Sequence, residues 1–407
     1  MIRRYGGVRW NSRTRIALVV IMVFIIPATL AISPAWAKPI PQWTFMVYMA
    51  ADNNLDYFGY ENMEAMREGL IARESPQDVN VVVLWDKYDD VTNLYKVTTD
   101  EPELVNGFLL NGEEANMGDP DTLQAFVKYA MRHFRASHYV LVLWDHGDDF
   151  RGCCWDDHPY DYLSHQEITQ ALSRVKQLDI LAFDACVEGM IEVVYEYAWT
   201  GLQIDYVIAT EGYVPLAGYP YAKILEHLDP AMTAKSFAKV IVDDYIAFYE
   251  TLRPASRHAQ LASIDMQYVA TIVQQLGDLT DVLKGHLLDP KQRDFYHDMI
   301  ANARGEGNLQ WSEYGWEAYI DLPSFVNHLT QSLKIAEAEL LYTTLMTAIY
   351  NNASEPMTSA GAEGLGIFFP NSYDSFQNNV YWHGDKYLAM QFPHEGWWDF
   401  LQAYWGK

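Results

Sequence analysis

The sequence has 407 residues, of which half are apolar and 14% aromatic, so it can form one large or two ordinary domains with complete hydrophobic cores. This composition excludes a disordered chain and a collagen, and three cysteines are too few for a disulfide-stapled mini-protein. The formal charge is −26; a surface this acidic repels phosphate backbones, so we expect no nucleic-acid partner.

The first 37 residues are predicted to be a secretory signal peptide. Five arginines precede an apolar run at 16–32, and Ser-Pro-Ala-Trp-Ala follows at 33–37, which is the pattern of a signal cleaved after Ala37. A membrane anchor is the alternative because the apolar run approaches the length that spans a bilayer. Pro27 and the small-residue site favour cleavage. We therefore expect an exported protein, periplasmic or secreted, with no membrane association after cleavage.

The next part of the chain alternates between predicted strands and helices. Uninterrupted apolar runs are typical of strands buried on both faces of a parallel sheet, and they occur at 43–50, 79–85, 139–144, 180–183 and 206–210. Helical patterns lie between them at 54–72, 121–135, 164–176 and 187–199. Ser164 and Glu167 form a capping box at the start of the third helix. Residues 38–230 are thus predicted to be an α/β domain with a mostly parallel sheet flanked by helices.

The pattern changes after about residue 230. Long helical patterns dominate at 232–252, 267–284, 290–303, 324–331 and 335–350, with one apolar strand pattern at 364–369. We therefore predict a mainly helical carboxyl-terminal domain over 231–407.

Two predicted strands are followed directly by reactive residues. Asp145-His146-Gly147 follows one strand and Asp184-Ala185-Cys186 follows another, and ligands of parallel sheets bind at the carboxyl ends of strands. Cysteine is the nucleophile that needs least activation. We expect Cys186 at the start of helix 187–199, where the helix dipole lowers a thiol pKa. The pair predicts acyl transfer, with Cys186 as nucleophile and His146 as proton donor to the leaving amine.

Asp184 lies two residues before Cys186, so on a strand both side chains point to the same side. Its carboxylate is predicted either to bind a cationic substrate group or to accept hydrogen bonds from nearby backbone N–H groups. Because a nearby carboxylate raises a thiol pKa, Asp184 suits substrate recognition better than activation of the thiol.

Several segments together resemble the clostripain family of cysteine peptidases, which have a caspase-like fold. The matching segments are WTFMVYMAADNNLD (43–56), LVLWDHG (141–147), ILAFDACVEGMIEVVYEYA (180–198), ATEGYVPLAGYPY (209–221), YIDLPSFVNHL (319–329) and GLGIFFP (364–370). The resemblance implies that His146 and Cys186 are the catalytic dyad. It also implies that Asp184 lies in a pocket for arginine or lysine, with Glu211 as a second carboxylate in its wall.

The resemblance leads to a concrete expectation: an endopeptidase that cleaves proteins or peptides after arginine in preference to lysine. A thioester would form on Cys186, and the N–H groups of Gly147 and Cys186 would form the oxyanion hole that acyl transfer requires. The alternatives are a catalytically silent binding protein on the same scaffold and, more weakly, a thiol oxidoreductase that uses Cys153 and Cys154. The cysteine pair lacks the C-x-x-C spacing, and adjacent cysteines bridge poorly, so free thiols are expected there.

An acid-rich loop follows His146. Asp148, Asp149, Asp156 and Asp157 supply hard oxygen atoms of the kind that bind calcium, although their spacing is not that of an EF-hand. The thiol chemistry itself needs no cofactor. Members of the family that the sequence resembles often depend on calcium, so these four residues are candidate calcium ligands, and a solvated acidic surface is the alternative.

Overall fold

The computed structural model describes residues 40–88, 90–175, 177–252, 259–306, 318–354, 357 and 361–407, and it describes only the backbone at 379–385. The predicted signal peptide lies outside these residues. Among the described helices, none combines the length and the apolar character needed to cross a bilayer.

A nine-stranded sheet forms the centre of the protein, in the order β12-β10-β9-β8-β5-β1-β2-β3-β4. The five strands β9, β8, β5, β1 and β2 are parallel, and antiparallel strands complete both edges. The strands of this sheet are β1 (Trp43–Ala51), β2 (Val79–Lys87), β3 (Asn93–Val97), β4 (Glu103–Leu104), β5 (His138–Trp144), β8 (Leu178–Asp184), β9 (Ile204–Ala209), β10 (Gln260–Asp265) and β12 (Ile349–Ala353).

Two small two-stranded sheets accompany it. One is β6 (Cys153–Asp156) with β7 (Asp161–Leu163), and the other is β11 (Tyr319–Asp321) with β13 (Gly366–Phe368). The helices are α1 (Asp56–Ala72), α2 (Pro120–His133), α3 (His165–Leu172), α4 (Ile191–Trp199), α5 (Tyr221–His227), α6 (Ala234–Glu250), α7 (Val269–Leu288), α8 (Arg293–Glu306), α9 (Leu322–Leu333), α10 (Ala336–Ala348), α11 (Tyr373–Tyr387) and α12 (Trp397–Trp405).

The central strands are apolar throughout because both faces of the sheet are covered. Every residue of β1 is buried. Phe45 and Val47 belong to the core formed with α1, α5 and α6, whereas Met46 and Tyr48 belong to the core formed with α2, α3, α4 and α7. Successive side chains of a strand point to opposite faces, so a strand between two helical layers must be apolar at every position. The predicted α/β fold class is confirmed.

The carboxyl-terminal half is mainly helical, as predicted, but it also extends the central sheet. Strand β10 pairs with β9, and β12 pairs with β10. Residues Ile40–Lys407 form one compact unit, so the expected boundary near residue 230 does not divide two compact units. Strand β12 begins directly after α10 and carries two asparagines. Its sequence therefore lacks the turn residues and the apolar run that would have identified a strand.

Candidate active site

The two reactive segments lie side by side at the carboxyl ends of β5 and β8. These strands are adjacent and parallel, and Trp144 pairs with Asp184 in their register. The ends open into a cavity of about 240 Å³. It is lined by Leu55, Phe58, Trp144, Asp145, His146, Asp184, Cys186, Tyr213, Val214, Pro215, Leu216 and Gly218. The structure thus brings together three of the predicted site residues, namely His146, Asp184 and Cys186.

The thiol of Cys186 is held by the segment that follows β9. The backbone N–H of Val214 donates a hydrogen bond to Sγ at 3.3 Å. Burial raises the pKa of Cys186 to about 11, and the Val214 N–H opposes that increase. The resting group is therefore a neutral thiol.

The expected helix dipole does not act on Cys186. Helix α4 begins at Ile191, so residues 187–190 separate the thiol from the helix, and a helix dipole fades within its first turn. The prediction of a lowered thiol pKa was wrong for this reason. The apolar stripe of the helix could not show that the preceding residues form a turn.

That turn is strained at Val187, whose φ is 52°. The left-handed region is costly for a β-branched residue, and such strain persists only where neighbouring structure imposes it. Two hydrogen bonds impose it here: Val187 N–H donates to Gly212 O, and Gly189 N–H donates to Thr210 O, both at 2.7 Å. The backbone after Cys186 is therefore held by the segment after β9.

His146 is oriented by a residue that the sequence analysis missed. Its Nε2 lies 2.9 Å from Asn54 Oδ1. An amide oxygen only accepts, so Nε2 carries the hydrogen and Nδ1 keeps the basic lone pair. Burial lowers the pKa of His146, which favours the neutral imidazole. Asn54 follows β1, the strand adjacent to β5, and the rule about strand ends could have identified it.

Gly147 lies directly against the backbone of Cys186. A Cβ at this position would be 2.3 Å from Cys186 O and 2.9 Å from Cys186 N. Gly147 also forms an antiparallel β-bridge with Cys153. This bridge consists of two hydrogen bonds, one from Asp148 N–H to Gly152 O and one from Cys154 N–H to His146 O. The bridge therefore does not use Gly147 N–H.

Asp184 lines the cavity and is only 4% exposed. Its Oδ2 accepts hydrogen bonds from Tyr219 N–H at 3.0 Å and Tyr221 Oη–H at 2.8 Å. Among the described residues, Oδ1 has no hydrogen-bond partner. Burial raises the pKa of Asp184 to about 7. One oxygen thus holds the pocket wall together, as in the backbone-accepting alternative, while the other is buried as an unsatisfied acceptor.

Glu211 does not line this cavity, contrary to the expected placement. It is buried beside Asp321, and its Oε1 accepts a hydrogen bond from Gly364 N–H at 3.0 Å. The reason is that the chain after β9 packs against the segment that leads into β13, which turns the Glu211 side chain away from Cys186.

The four acidic residues expected to form a calcium site are not brought together. Asp148 forms an ion pair with Arg151, and Asp149 is buried and accepts a hydrogen bond from Tyr319. Asp157 is exposed. Asp156 lies instead beside Asp52, Asp86 and Glu114, with one carboxylate oxygen of each within 4.8 Å of all the others. Cys153 and Cys154 are buried free thiols, as expected.

The chain matches one family over most of its length. A family model described as the clostripain family matches residues 47–405. Clostripain from Hathewaya histolytica is 30% identical over 220 residues, which are 46% of this chain and 42% of that relative. The chain therefore spans less than half of the length of the curated relative that it matches.

Solved structures share the fold. A secreted C11 cysteine protease from Bacteroides thetaiotaomicron, in complex with an irreversible peptide inhibitor, has a TM-score of 0.66 and 20% identity, covering 88% of this chain and 99% of that one. An inactive zymogen C11 protease from Parabacteroides distasonis has a TM-score of 0.64 and 17% identity, covering 87% and 97%.

Proposed function

Because this chain belongs to the clostripain family, we propose that it is a cysteine endopeptidase that cleaves after basic residues, with arginine preferred over lysine. The observation that carries the proposal is the shared cavity. It places a thiol, an imidazole and a buried carboxylate with one unpartnered oxygen around a single space.

Cys186 and His146 are both uncharged before the reaction begins. Because the pKa of Cys186 is raised to about 11 and that of His146 is lowered, a thiol and an imidazole are present near neutral pH. As Sγ bonds to the scissile carbonyl carbon, the thiol proton moves to Nδ1 of His146, the nitrogen that keeps its lone pair. The resulting imidazolium is stabilised at Nε2–H by Asn54 Oδ1.

The second half of the reaction uses the same proton. His146 donates it to the departing amine as the C–N bond breaks, which leaves an acyl thioester on Cys186. Water then attacks the thioester, with neutral His146 as the base, and the thiol is restored. The N–H groups of Gly147 and Cys186 are the proposed donors to the oxyanion, since the bridge to Cys153 leaves the first of them unused.

Specificity is proposed to come from Asp184. Its unpartnered Oδ1 can accept a charge-assisted hydrogen bond from a guanidinium group, while Leu55, Phe58 and Trp144 offer apolar surface to the aliphatic part of the side chain. Such a contact contributes about 1.5–3 kcal/mol, or roughly tenfold to a hundredfold in kcat/KM. Arginine is favoured over lysine because its planar fork matches a carboxylate.

The test uses fluorogenic peptides that differ only in the residue before the scissile bond. Wild type should cleave arginine and lysine peptides, and Cys186→Ala and His146→Ala should each lose activity while they keep the wild-type circular dichroism spectrum. Comparable turnover by either variant would remove that residue from the mechanism. Peptide binding by wild type with no cleavage of any basic peptide would instead support the silent binding protein.

Chemical labelling distinguishes the remaining alternative. Iodoacetamide should alkylate Cys186 of the native protein, slowly at pH 7 and faster toward pH 11, and activity should fall in parallel. Cys153 and Cys154 are buried and should react only after unfolding. Preferential labelling of that pair in the native protein would support a thiol oxidoreductase.

Export is part of the proposal, and it rests on the arginine-rich start and the small-residue site at 33–37. The mature amino terminus is expected at Lys38. Amino-terminal sequencing of protein recovered outside the cytoplasm tests this, and a chain that still begins at Met1 would indicate a membrane anchor.

A further inference from the structure

Tyr249 contacts the turn that forms part of the cavity wall. The turn spans residues 215–218, in which Gly218 N–H donates to Pro215 O at 2.8 Å, and Pro215, Leu216 and Gly218 line the cavity. Tyr249 lies on α6 and is fully buried, and its hydroxyl oxygen is 2.8 Å from Gly218 O and 3.2 Å from Pro215 O. Helix α6 is therefore connected to the cavity wall through this hydroxyl group.

The shorter of these contacts involves a peptide group that also contacts Asp184. The carbonyl of Gly218 and the N–H of Tyr219 belong to one peptide unit, which is planar and rigid. Tyr249 Oη–H donates to the oxygen of this unit, and the N–H of the unit donates to Asp184 Oδ2 at 3.0 Å. Hydrogen bonds linked in this way strengthen one another. Because rotation of the peptide would break both bonds, Tyr249 holds the orientation in which the N–H points to Asp184.

The turn is also packed closely against the carboxylate. Gly218 has a φ of 66°, and a Cβ at this position would be 2.9 Å from Asp184 Oδ2 and 3.1 Å from Oδ1, so the close approach requires a residue without a side chain. Oδ2 accepts from Tyr219 and Tyr221, whereas Oδ1 has no partner among the described residues. The orientation of the Gly218–Tyr219 peptide thus decides which oxygen of Asp184 remains unpartnered.

We propose that Tyr249 is a positioning residue for recognition of the basic substrate side chain. By holding the Gly218–Tyr219 peptide, it keeps Oδ2 of Asp184 engaged and leaves Oδ1 to the substrate cation. Tyr249 is not among the residues that line the cavity, so it acts through this peptide and not by touching the substrate. The role rests on the proposed function, in which Asp184 determines specificity.

A second tyrosine on the same helix provides a matched control. Tyr245 lies about one helical turn before Tyr249, both are fully buried, and their ring centroids are 4.7 Å apart in an edge contact. Among the described residues, the Tyr245 hydroxyl has no hydrogen-bond partner. Phenylalanine at either position keeps the ring and removes only the hydroxyl group. The two substitutions therefore differ in whether a hydrogen bond to the cavity wall is lost.

The test compares Tyr249→Phe and Tyr245→Phe with wild type on two peptides. One carries arginine before the scissile bond, and the other carries citrulline, in which a neutral urea group replaces the guanidinium. In Tyr249→Phe, the ratio of kcat/KM for arginine to that for citrulline should fall about threefold to tenfold, the effect of one net hydrogen bond. The citrulline peptide should be cleaved within about twofold of the wild-type rate, whereas a general structural defect would slow both peptides in parallel. Tyr245→Phe should keep the wild-type ratio.

The pH dependence of this ratio is a second readout. Burial raises the pKa of Asp184 to about 7, and hydrogen bonds from Tyr219 and Tyr221 oppose the increase. Weaker donation by Tyr219 in Tyr249→Phe should raise that pKa further, so the ratio should decrease at higher pH than in wild type. Tyr249 itself stays protonated because burial raises its pKa. Among the described residues, the other titratable groups that line the cavity or act on Asp184 are Asp145, His146, Cys186, Tyr213 and Tyr245, and Tyr249→Phe keeps all of them.

Amide hydrogen exchange supplies a measurement that does not depend on activity. Exchange within residues 213–219 should be faster in Tyr249→Phe than in Tyr245→Phe, because only the first variant loses a hydrogen bond to this segment. An unchanged ratio in Tyr249→Phe, equal loss in the two variants, parallel loss for the two peptides, or equal exchange in the two variants would each overturn the role of Tyr249. Failure of wild type to cleave the arginine peptide would overturn the proposed function as well, whereas normal wild-type cleavage with an unchanged ratio in Tyr249→Phe would overturn this role alone.

Discussion

The α-carbon of Gly147 lies so close to Cys186 that a Cβ at position 147 would be 2.3 Å from the Cys186 carbonyl oxygen. Real Cβ atoms essentially never approach that closely, so the chain after β5 and the chain after β8 can meet only because residue 147 has no side chain. His146 directly precedes Gly147, so this contact ties the segment that carries His146 to the backbone of Cys186.

Gly147→Ala should therefore separate the two segments and lower kcat/KM by about a hundredfold or more, because a displacement of about 1 Å in a catalytic group can cost that much. The matched control is Gly285→Ala. Gly285 is exposed within α7, and a Cβ there meets nothing within 4 Å. It should leave activity unchanged and raise stability by about 0.5–1 kcal/mol. Equal activity of both variants in the peptide assay would contradict this assignment.

Asn54 is expected to act through His146. Asn54→Ala removes the acceptor for Nε2–H, so the imidazole loses its fixed tautomer; we expect kcat to fall about tenfold to a hundredfold with little change in KM. Asn54→Asp keeps an acceptor and adds a negative charge, which should raise the pKa of His146. When kcat/KM is plotted against pH, the decrease on the acid side should then occur at higher pH than in wild type. A decrease at unchanged pH in Asn54→Asp would show that Asn54 does not contact the reacting histidine.

Substrate preference should depend on pH through Asp184. Its pKa in the empty pocket is raised to about 7 by burial, and only the carboxylate attracts a guanidinium. The ratio of kcat/KM for an arginine peptide to that for its neutral citrulline analogue should therefore be highest at alkaline pH, fall to about half of that plateau near pH 7 and decrease further at lower pH. Titration of His146 affects both substrates and cancels in the ratio. Asp184→Asn should make the ratio small and independent of pH; a variant that keeps full arginine preference would show that Asp184 is structural.

The same carboxylate should make the empty enzyme less stable at alkaline pH. The folded-state pKa, about 7, exceeds the ordinary value of 3.8, so between these values the folded protein binds more protons than the unfolded chain. Stability then falls as pH rises from about 4 to 7. Asp184→Asn keeps an acceptor for Tyr219 and Tyr221, and it should stabilise the protein by up to about 4 kcal/mol at pH 8. Its advantage should disappear near pH 4.

Urea unfolding of the two proteins at several pH values measures this difference. Glu113→Gln serves as the control for the loss of one exposed carboxylate. A constant difference between Asp184→Asn and wild type at all pH values would mean that Asp184 ionises as readily in the folded protein as in the unfolded chain.

Much of the fold could be predicted from local patterns. The apolar runs of β1, β2, β5, β8 and β9 are long because both faces of those strands are covered. Consecutive residues of such strands must therefore be apolar, and this pattern is visible in the sequence. The capping box at Ser164 and Glu167 is present as predicted, since it involves residues three apart. Strands β10 and β12 were missed because their identity depends on pairing with segments that are distant in the chain.

The sequence by itself determined which residues can perform chemistry: it placed His146, Asp184 and Cys186 directly after strands, and the strand order then placed them in one cavity. Only the tertiary structure decided how each group behaves. Burial, which depends on what packs around a side chain, gave Cys186 a raised pKa rather than the lowered one expected from a helix dipole. The packing of the segment into β13 turned Glu211 away from the cavity. The convergence of Asp52, Asp86, Glu114 and Asp156 joins parts of the chain up to 104 positions apart, a relationship that no local spacing encodes.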